Sequence, residues 1–320
     1  MAEVAARPRV KPLKAAVKLG ASLAVLGVVF AIIGPDAILE AFDKVRLGPW
    51  LVGLVGFLGL HFVSAAKWRF FLGLAGAKLP FPSAIRFYGA GLFANLCLPS
   101  LVGGDVLRAG LAMSVVEDKE AIALGSVVDR LSDVAALGLL VGIGFVVAPS
   151  AMEDLPGAID GFVVFFVVLG LGVLGLLVLW LFLAKFPRDK LPTKVQAIVE
   201  RMLVAARTMA KNAPRAALGL AWCLSLQAGF VLVNVHLGNM MGLELDLRLW
   251  FLLWPLAKVA AMVPVSLGGL GVREAAFGAL VKPFASASLA VAESLVWQSI
   301  LIVGGFIAGA WWLFTRGHSR

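Results

Sequence analysis

The chain has 320 residues, 61% of them hydrophobic and only 15% charged, with a mean hydropathy of +0.97. A soluble domain is about 45–50% apolar and about 25% charged, so the composition excludes a soluble domain able to fold alone and predicts an all-α polytopic membrane protein. The net charge of +9 is then orientation charge rather than a sign of nucleic acid, because Lys and Arg gather in the cytoplasmic loops of membrane proteins.

The chain opens on a basic tail, 1–14, with Arg7, Arg9, Lys11 and Lys14, and Lys18 follows. The apolar run after it has the outline of a signal peptide. It ends at Gly34-Pro35-Asp36 with no small-residue cleavage pattern, which predicts a retained first helix over 15–34. A spanning helix needs about 20 apolar residues, and further candidates lie at 49–66, 121–148, 161–184, 216–240 and 293–314. Two more apolar regions, 83–116 and 250–283, are interrupted near the middle by Pro and a Gly pair. Such broken segments mark re-entrant hairpins or discontinuous helices; two short or kinked spanning helices per region is the plainer alternative.

Charge orients this path. With a cytoplasmic N-terminus and two non-crossing broken regions, 20 of the 28 Lys and Arg residues fall on the cytoplasmic side, and the opposite segment 149–160 carries only acids. That is the expected positive-inside pattern for an inner (cytoplasmic) membrane protein with both termini, including the tail 315–320, in the cytoplasm. The hydrophilic stretch 185–215 reads as a cytoplasmic amphipathic helix at the anionic lipid surface, or as a solvated connector. Cys97 and Cys223 lie in apolar runs and read as packing residues, with no metal site to argue for.

The two broken regions share a pattern. Pro99-Ser-Leu-Val-Gly103-Gly104-Asp105-Val-Leu-Arg108 and Pro264-Val-Ser-Leu-Gly268-Gly269-Leu-Gly-Val-Arg273 are both P-x3-G-G-x3-R. Duplication explains this better than chance. It divides the chain into repeat one (about 49–148), the connector and repeat two (about 216–314) within a single transmembrane domain, 15–314. Three crossings between the copies would make the repeat inverted, an architecture that sets a site between the halves near the midplane.

Residue chemistry gives that site a ligand. Pro99 and Pro264 end the entering half-helices, and the glycines let backbone turn and approach a ligand closely. The next half-helix opens with unpaired N–H groups, an anion site, and a planar guanidinium suits phosphate. The expected lipid-phosphate site is Gly103, Gly104, Arg108, Gly268, Gly269 and Arg273. The competing role is structural: Arg108 pairs with Asp105 and Arg273 with Glu274, pinning the turns. Asp129 and Asp133, at i and i+4 on one helix face, neutralise Arg108 or carry a proton, or form a salt-bridge cluster with Arg130 at the helix end. Lys258 either lines the cavity or snorkels to an interface. His61, His236, Gln227 and Asn234 read as interhelical hydrogen-bond partners, and Trp68, Trp250, Trp254, Trp311 and Trp312 as interface belts.

At these motifs the chain resembles the family of the lysylphosphatidylglycerol synthetase transmembrane region. The likeness is carried by Lys67-Trp68-Arg69, by Asn95 through Arg108, by Asp129-Arg130-Leu131 and by Pro264 through Glu274. The resemblance implies a flippase-like, lipid-translocating module whose relatives move aminoacylated phospholipid or belong to polyprenyl-linked glycan pathways. It implies no cofactor, and membrane phospholipid or polyprenyl-linked lipid as partner. No aminoacyl-transfer domain follows the last helix of this sequence, so the cargo is expected to come from a separate lipid-modifying enzyme or to be another lipid. Asp105 faces Leu270 in the alignment of the two motifs, so the halves are not equivalent. Two readings of other classes stand beside translocation. One is a polyprenyl-phosphate-dependent glycosyltransferase with carboxylates at Asp36, Glu40 and Asp43; the other is a non-transporting membrane partner. No G-x4-G-K-[ST] phosphate loop is present, so uphill transport would need an ion gradient or a downstream pull.

Overall fold

The structure is a computed structural model and describes residues 27–28, 35–97, 103–149, 193–262 and 269–315. The predicted span 161–184, nearly all of the first predicted helix, and Pro99, Pro264 and Gly268 lie outside these residues. All the described elements are helices: α1 (Pro35–Phe42), α2 (Leu47–Leu74), α3 (Phe81–Cys97), α4 (Gly103–Met113), α5 (Lys119–Val147), α6 (Thr193–Lys211), α7 (Ala213–Met241), α8 (Leu247–Ala260), α9 (Val272–Val281) and α10 (Ala287–Thr315).

Four of them, α2, α5, α7 and α10, are 28 or 29 residues long and apolar enough to cross a bilayer. At 1.5 Å per residue each reaches about 42 Å, beyond the roughly 30 Å of hydrocarbon. Their outer faces carry aliphatic and aromatic side chains in the open, including Val55 at 68%, Val146 at 79% and Phe314 at 80% exposure. Only lipid makes such a surface favourable, since exposed apolar area in water costs about 25 cal/mol per Å². The chain is therefore a membrane-embedded, multi-pass helical protein.

The helix order repeats. A long helix, two short helices and a second long helix run as 28, 17, 11 and 29 residues in α2–α5, and as 29, 14, 10 and 29 residues in α7–α10. Each long first helix ends at a glycine with positive φ, Gly76 (+106°) or Gly242 (+76°), where a side chain would be strained. Packing follows the same correspondence: α3 lies on α10 as α8 lies on α5, and α2 lies on its counterpart α7. The broken regions are thus helix pairs, α3–α4 and α8–α9, each pair packed together. At 11, 14 and 10 residues α4, α8 and α9 are shorter than the bilayer demands, and α3, at 17, is at the lower limit.

At the first break the pair is held at glycine distance. Gly104 donates its N–H to Asn95 Oδ1 at 2.9 Å, and a methyl group there would collide with the Gly91 carbonyl. At the second, Gly269 and Gly271 take φ of +82° and +85°. Trp68, Trp250 and Trp254, expected in interface belts, are instead 0–3% exposed inside the bundle. Large flat rings fill the crossings between helices better than any aliphatic side chain. Trp311 does face outward, at 57% exposure.

Candidate functional site

Each four-helix unit holds one arginine-centred cluster, and a cavity is lined by helices of both units. In the first cluster, Arg108 on α4 is 5% exposed and reaches Asp105 at 3.0 Å and Asp129 on α5 at 2.9 Å. Its guanidinium carbon lies 4.9 Å from the Trp68 ring and 4.8 Å from the Tyr88 ring, so both aromatic faces and carboxylates compensate its charge. Lys67, on α2, is 1% exposed, lies 3.0 Å from Asp129 and also bonds Asp133. Arg130 completes the set at 3.6 Å from Asp105. Three acids balance three bases, and Trp68 Nε1 ties the group to Ser126 at 3.1 Å.

The second cluster is built on the same plan from other residues. Arg273 on α9 donates to Glu274 at 2.5 Å, to Ser294 Oγ at 2.9 Å and to Gln298 Oε1 at 3.0 Å, and it lies 5.9 Å from the Trp254 ring. Arg108 and Arg273 each bond the residue 21 positions further on, Asp129 or Ser294. Each also faces the eighth residue of the preceding short helix, Tyr88 or Trp254. Glu274 turns back to accept the Gly271 N–H at 2.6 Å and so fixes the start of α9.

A cavity of about 280 Å³ lies between α2, α3, α5, α7, α8, α9 and α10. Its polar wall is Arg130, Asp133, Gln227, Lys258, Arg273 and His61; its apolar wall includes Phe57, Phe230, Trp254 and Trp297. Lys258 donates to Gln227 Oε1 at 2.8 Å and lies 5.4 Å from the Phe230 ring. Among the described residues it has no carboxylate within ion-pair distance.

The sequence-derived site residues therefore divide. Arg273, Lys258, Arg130 and Asp133 come together on the cavity, whereas Arg108 and Asp129 lie in the ion-paired cluster and do not line it. Both structural pairings weighed from sequence, Arg108 with Asp105 and Arg273 with Glu274, are present. Gly103 and Gly104 open α4, and Gly269 packs on Ala261 just before α9. Asp36, Glu40 and Asp43 are exposed on and after α1 and do not border the cavity. His236 reaches the Pro49 carbonyl at 3.0 Å, and Asn234 bonds back to Phe230 at 2.7 Å.

Sequence reasoning missed three participants. Lys67 enters the sequence reading only within the Lys67-Trp68-Arg69 motif of the family resemblance, with no role in a charge cluster, and α2 continues seven residues beyond it. Tyr88, the single tyrosine of the chain, reads as unremarkable. Glu293, the lone acid of α10, is fully buried, and a solitary acid at the start of an apolar span is the signal that marks it.

Comparison with curated proteins and with solved structures gives no match. A family model described as the lysylphosphatidylglycerol synthase TM region matches residues 15–309. That match takes in both helix pairs, both arginine clusters and the cavity, and the chain belongs to the lysylphosphatidylglycerol synthase transmembrane-region family, a family of membrane domains linked to flippase-like, lipid-related function.

Proposed function

We propose that the chain translocates a phosphate-bearing lipid, a phospholipid or a polyprenyl-linked lipid, between the leaflets of the cytoplasmic membrane. One observation carries this reading: Lys258 and Arg273 border one buried cavity, and Lys258 has no carboxylate partner among the described residues. A cation at membrane depth costs roughly 2.5–3.5 kcal/mol on insertion scales, and such residues mark substrate pathways. An anionic headgroup is the partner that removes this cost. At about 280 Å³ the cavity lies at the small end of ligand sites, about 300–1,000 Å³. It suits a headgroup whose acyl or prenyl chains stay in the surrounding lipid.

The two four-helix units support an inverted repeat, with α3–α4 and α8–α9 as re-entrant pairs entering from opposite faces and both termini cytoplasmic, as the Lys and Arg distribution favours. Rocking of one unit against the other would then expose the cavity alternately. The headgroup ligands in this reading are Lys258 and Arg273. Arg108 with Gly103 and Gly104 braces the first helix pair.

The test is a liposome assay with headgroup-labelled lipid and external quencher. Wild type is expected to expose inner-leaflet lipid faster than empty liposomes, and Lys258→Ala to fall close to their rate. Wild type that matches empty liposomes with anionic, zwitterionic, aminoacylated and polyprenyl-phosphate lipids alike overturns the reading.

A further inference from the structure

Helix α10 is enclosed on every side near its start. Ala290, Val291, Ala292, Glu293 and Ser294 are each 0% exposed. Glu293 is the acid among them, and neither of its carboxyl oxygens has a hydrogen-bond partner among the described residues. Its neighbour Ser294 is bonded to both Arg273 and Glu274, at 2.9 and 3.1 Å. One helical turn further, at i+4, Trp297 lines the cavity. Glu293 thus lies one helical turn from a residue of the cavity wall.

Its electrical surroundings are sparse. Ser294, the next residue, joins Arg273 and Glu274 on α9, and these are the charged groups bonded beside it. Helix α10 also packs on α1, α2, α3 and α7, and the Trp254 ring of α8 meets Trp297. Among the described residues, none of Asp36 and Glu40 on α1, His61, Lys67 and Arg69 on α2, Arg86 and Tyr88 on α3, Arg215 and His236 on α7, and Arg248 and Lys258 on α8 makes a hydrogen bond or ion pair with Glu293. Arg273 is already matched by Glu274. An ionised carboxylate in this position would have neither a counter-charge of its own nor a hydrogen bond. Burial of a lone ion costs several kcal/mol even after relaxation, and a bound proton removes the charge.

We propose that Glu293 is a proton-binding site whose occupancy governs how strongly Arg273 holds an anionic headgroup. The proposal rests on the reading of Arg273 and Lys258 as headgroup ligands. With the proton on a Glu293 oxygen, Arg273 faces one carboxylate, Glu274, and the field of its guanidinium extends into the cavity. When that proton leaves for water, two carboxylates compete with the phosphate for the same guanidinium. Proton binding and headgroup binding therefore favour each other, and by linkage each strengthens the other by the same factor. No other bond is made or broken. A proton gradient could in this way supply the work of uphill lipid movement in a chain without a nucleotide-binding loop.

Two measurements on the purified full-length chain test this. Infrared spectroscopy at neutral pH is expected to show a protonated-carboxyl C=O band that shifts in D2O and is absent in Glu293→Gln. A band that survives Glu293→Gln, or no such band in wild type, overturns the proposal whether or not lipid is transported. Binding of short-chain, headgroup-labelled phosphatidylglycerol is then followed from acid to alkaline pH. Wild type is expected to weaken by about 5- to 150-fold, the usual range of coupling between sites, while Glu293→Gln keeps the acid-form affinity throughout. Equal pH profiles for the two proteins overturn the coupling. Wild type that binds no phosphate lipid at any pH overturns the headgroup site and the coupling with it, and leaves the infrared assignment of the proton standing.

Discussion

The two arginine clusters occupy equivalent places in the two units and differ in how their charges close. Around Arg108 every charge is met: Lys67, Arg108 and Arg130 answer Asp105, Asp129 and Asp133. Around Arg273 the positions of Asp129 and Asp133 are taken by Ser294 and Gln298, which are neutral. The carboxylate is displaced to Glu274 on the short helix and to Glu293 one residue earlier on α10. Among the described residues, Lys258 is thereby left bonded to Gln227 with no carboxylate in ion-pair distance, and Glu293 has no hydrogen-bond partner. The same arginine position thus lies in a closed ion-paired cluster in one unit and borders the cavity in the other. Arg108 is met by two carboxylates, Asp105 and Asp129, whereas Arg273 has one, Glu274, with neutral Ser294 and Gln298 taking its other bonds.

The sharpest way to break this contrast is Asp129→Ala. It leaves Lys67 and Arg108, 1% and 5% exposed, short of their common counter-charge. Removing one partner of a buried pair costs about 3–5 kcal/mol, so the variant is expected to show a sharply lowered melting transition in detergent and poor recovery of folded protein. Next is Gly104→Ala, whose added methyl meets the Gly91 carbonyl, a backbone atom that cannot turn aside. Overpacking of this kind costs about 1–3 kcal/mol and should loosen α3 from α4, read as faster hydrogen exchange in both.

Lys258→Ala sharpens the contrast from the other side. Its melting transition is expected to stay near wild type, because no carboxylate loses a partner. Affinity for headgroup-labelled phospholipid should fall about tenfold or more, the worth of a hydrogen bond to a charged group. A variant that melts early yet binds normally would place Lys258 with the residues of the ion-paired cluster. Asp105→Asn is milder: Asp105 is partly exposed and Asp129 still holds Arg108, so a loss of about 1 kcal/mol or less is expected from chemical denaturation.

The smallest effect belongs to the loop before α8. Asp246 accepts the Arg248 N–H at 2.7 Å and bonds its guanidinium, and these bonds hold its carboxyl below the usual carboxylate range. A depressed value in the folded state means a contribution present above the unfolded value and lost as pH falls through the folded one. Asp246→Ala should therefore differ slightly from wild type at neutral pH and merge with it in strong acid, in parallel melting curves.

Much of the architecture is legible from residues alone. Apolar runs place α2, α5, α7 and α10, since only a helix of about 20 apolar residues satisfies its own backbone in lipid. The twin P-x3-G-G-x3-R motifs locate both breaks, because Pro and Gly interrupt helices wherever they occur. The spacing of Asp129 and Asp133 announces one charged face. What sequence does not disclose is the partner of each charge. Lys67 meets Asp129 across 61 intervening residues, and Trp68, Trp250 and Trp254 are drawn inward by a bundle whose crossings need large rings. Lys258 is brought to the cavity and Glu293 is fully buried by the packing of α8 and α10 against the other helices. Hydrophobicity and helix breaking are properties of neighbouring residues, so the chain carries them on its face. Neutralisation of a buried charge depends on which distant helix arrives within about 3 Å, and that was decided by the tertiary structure alone.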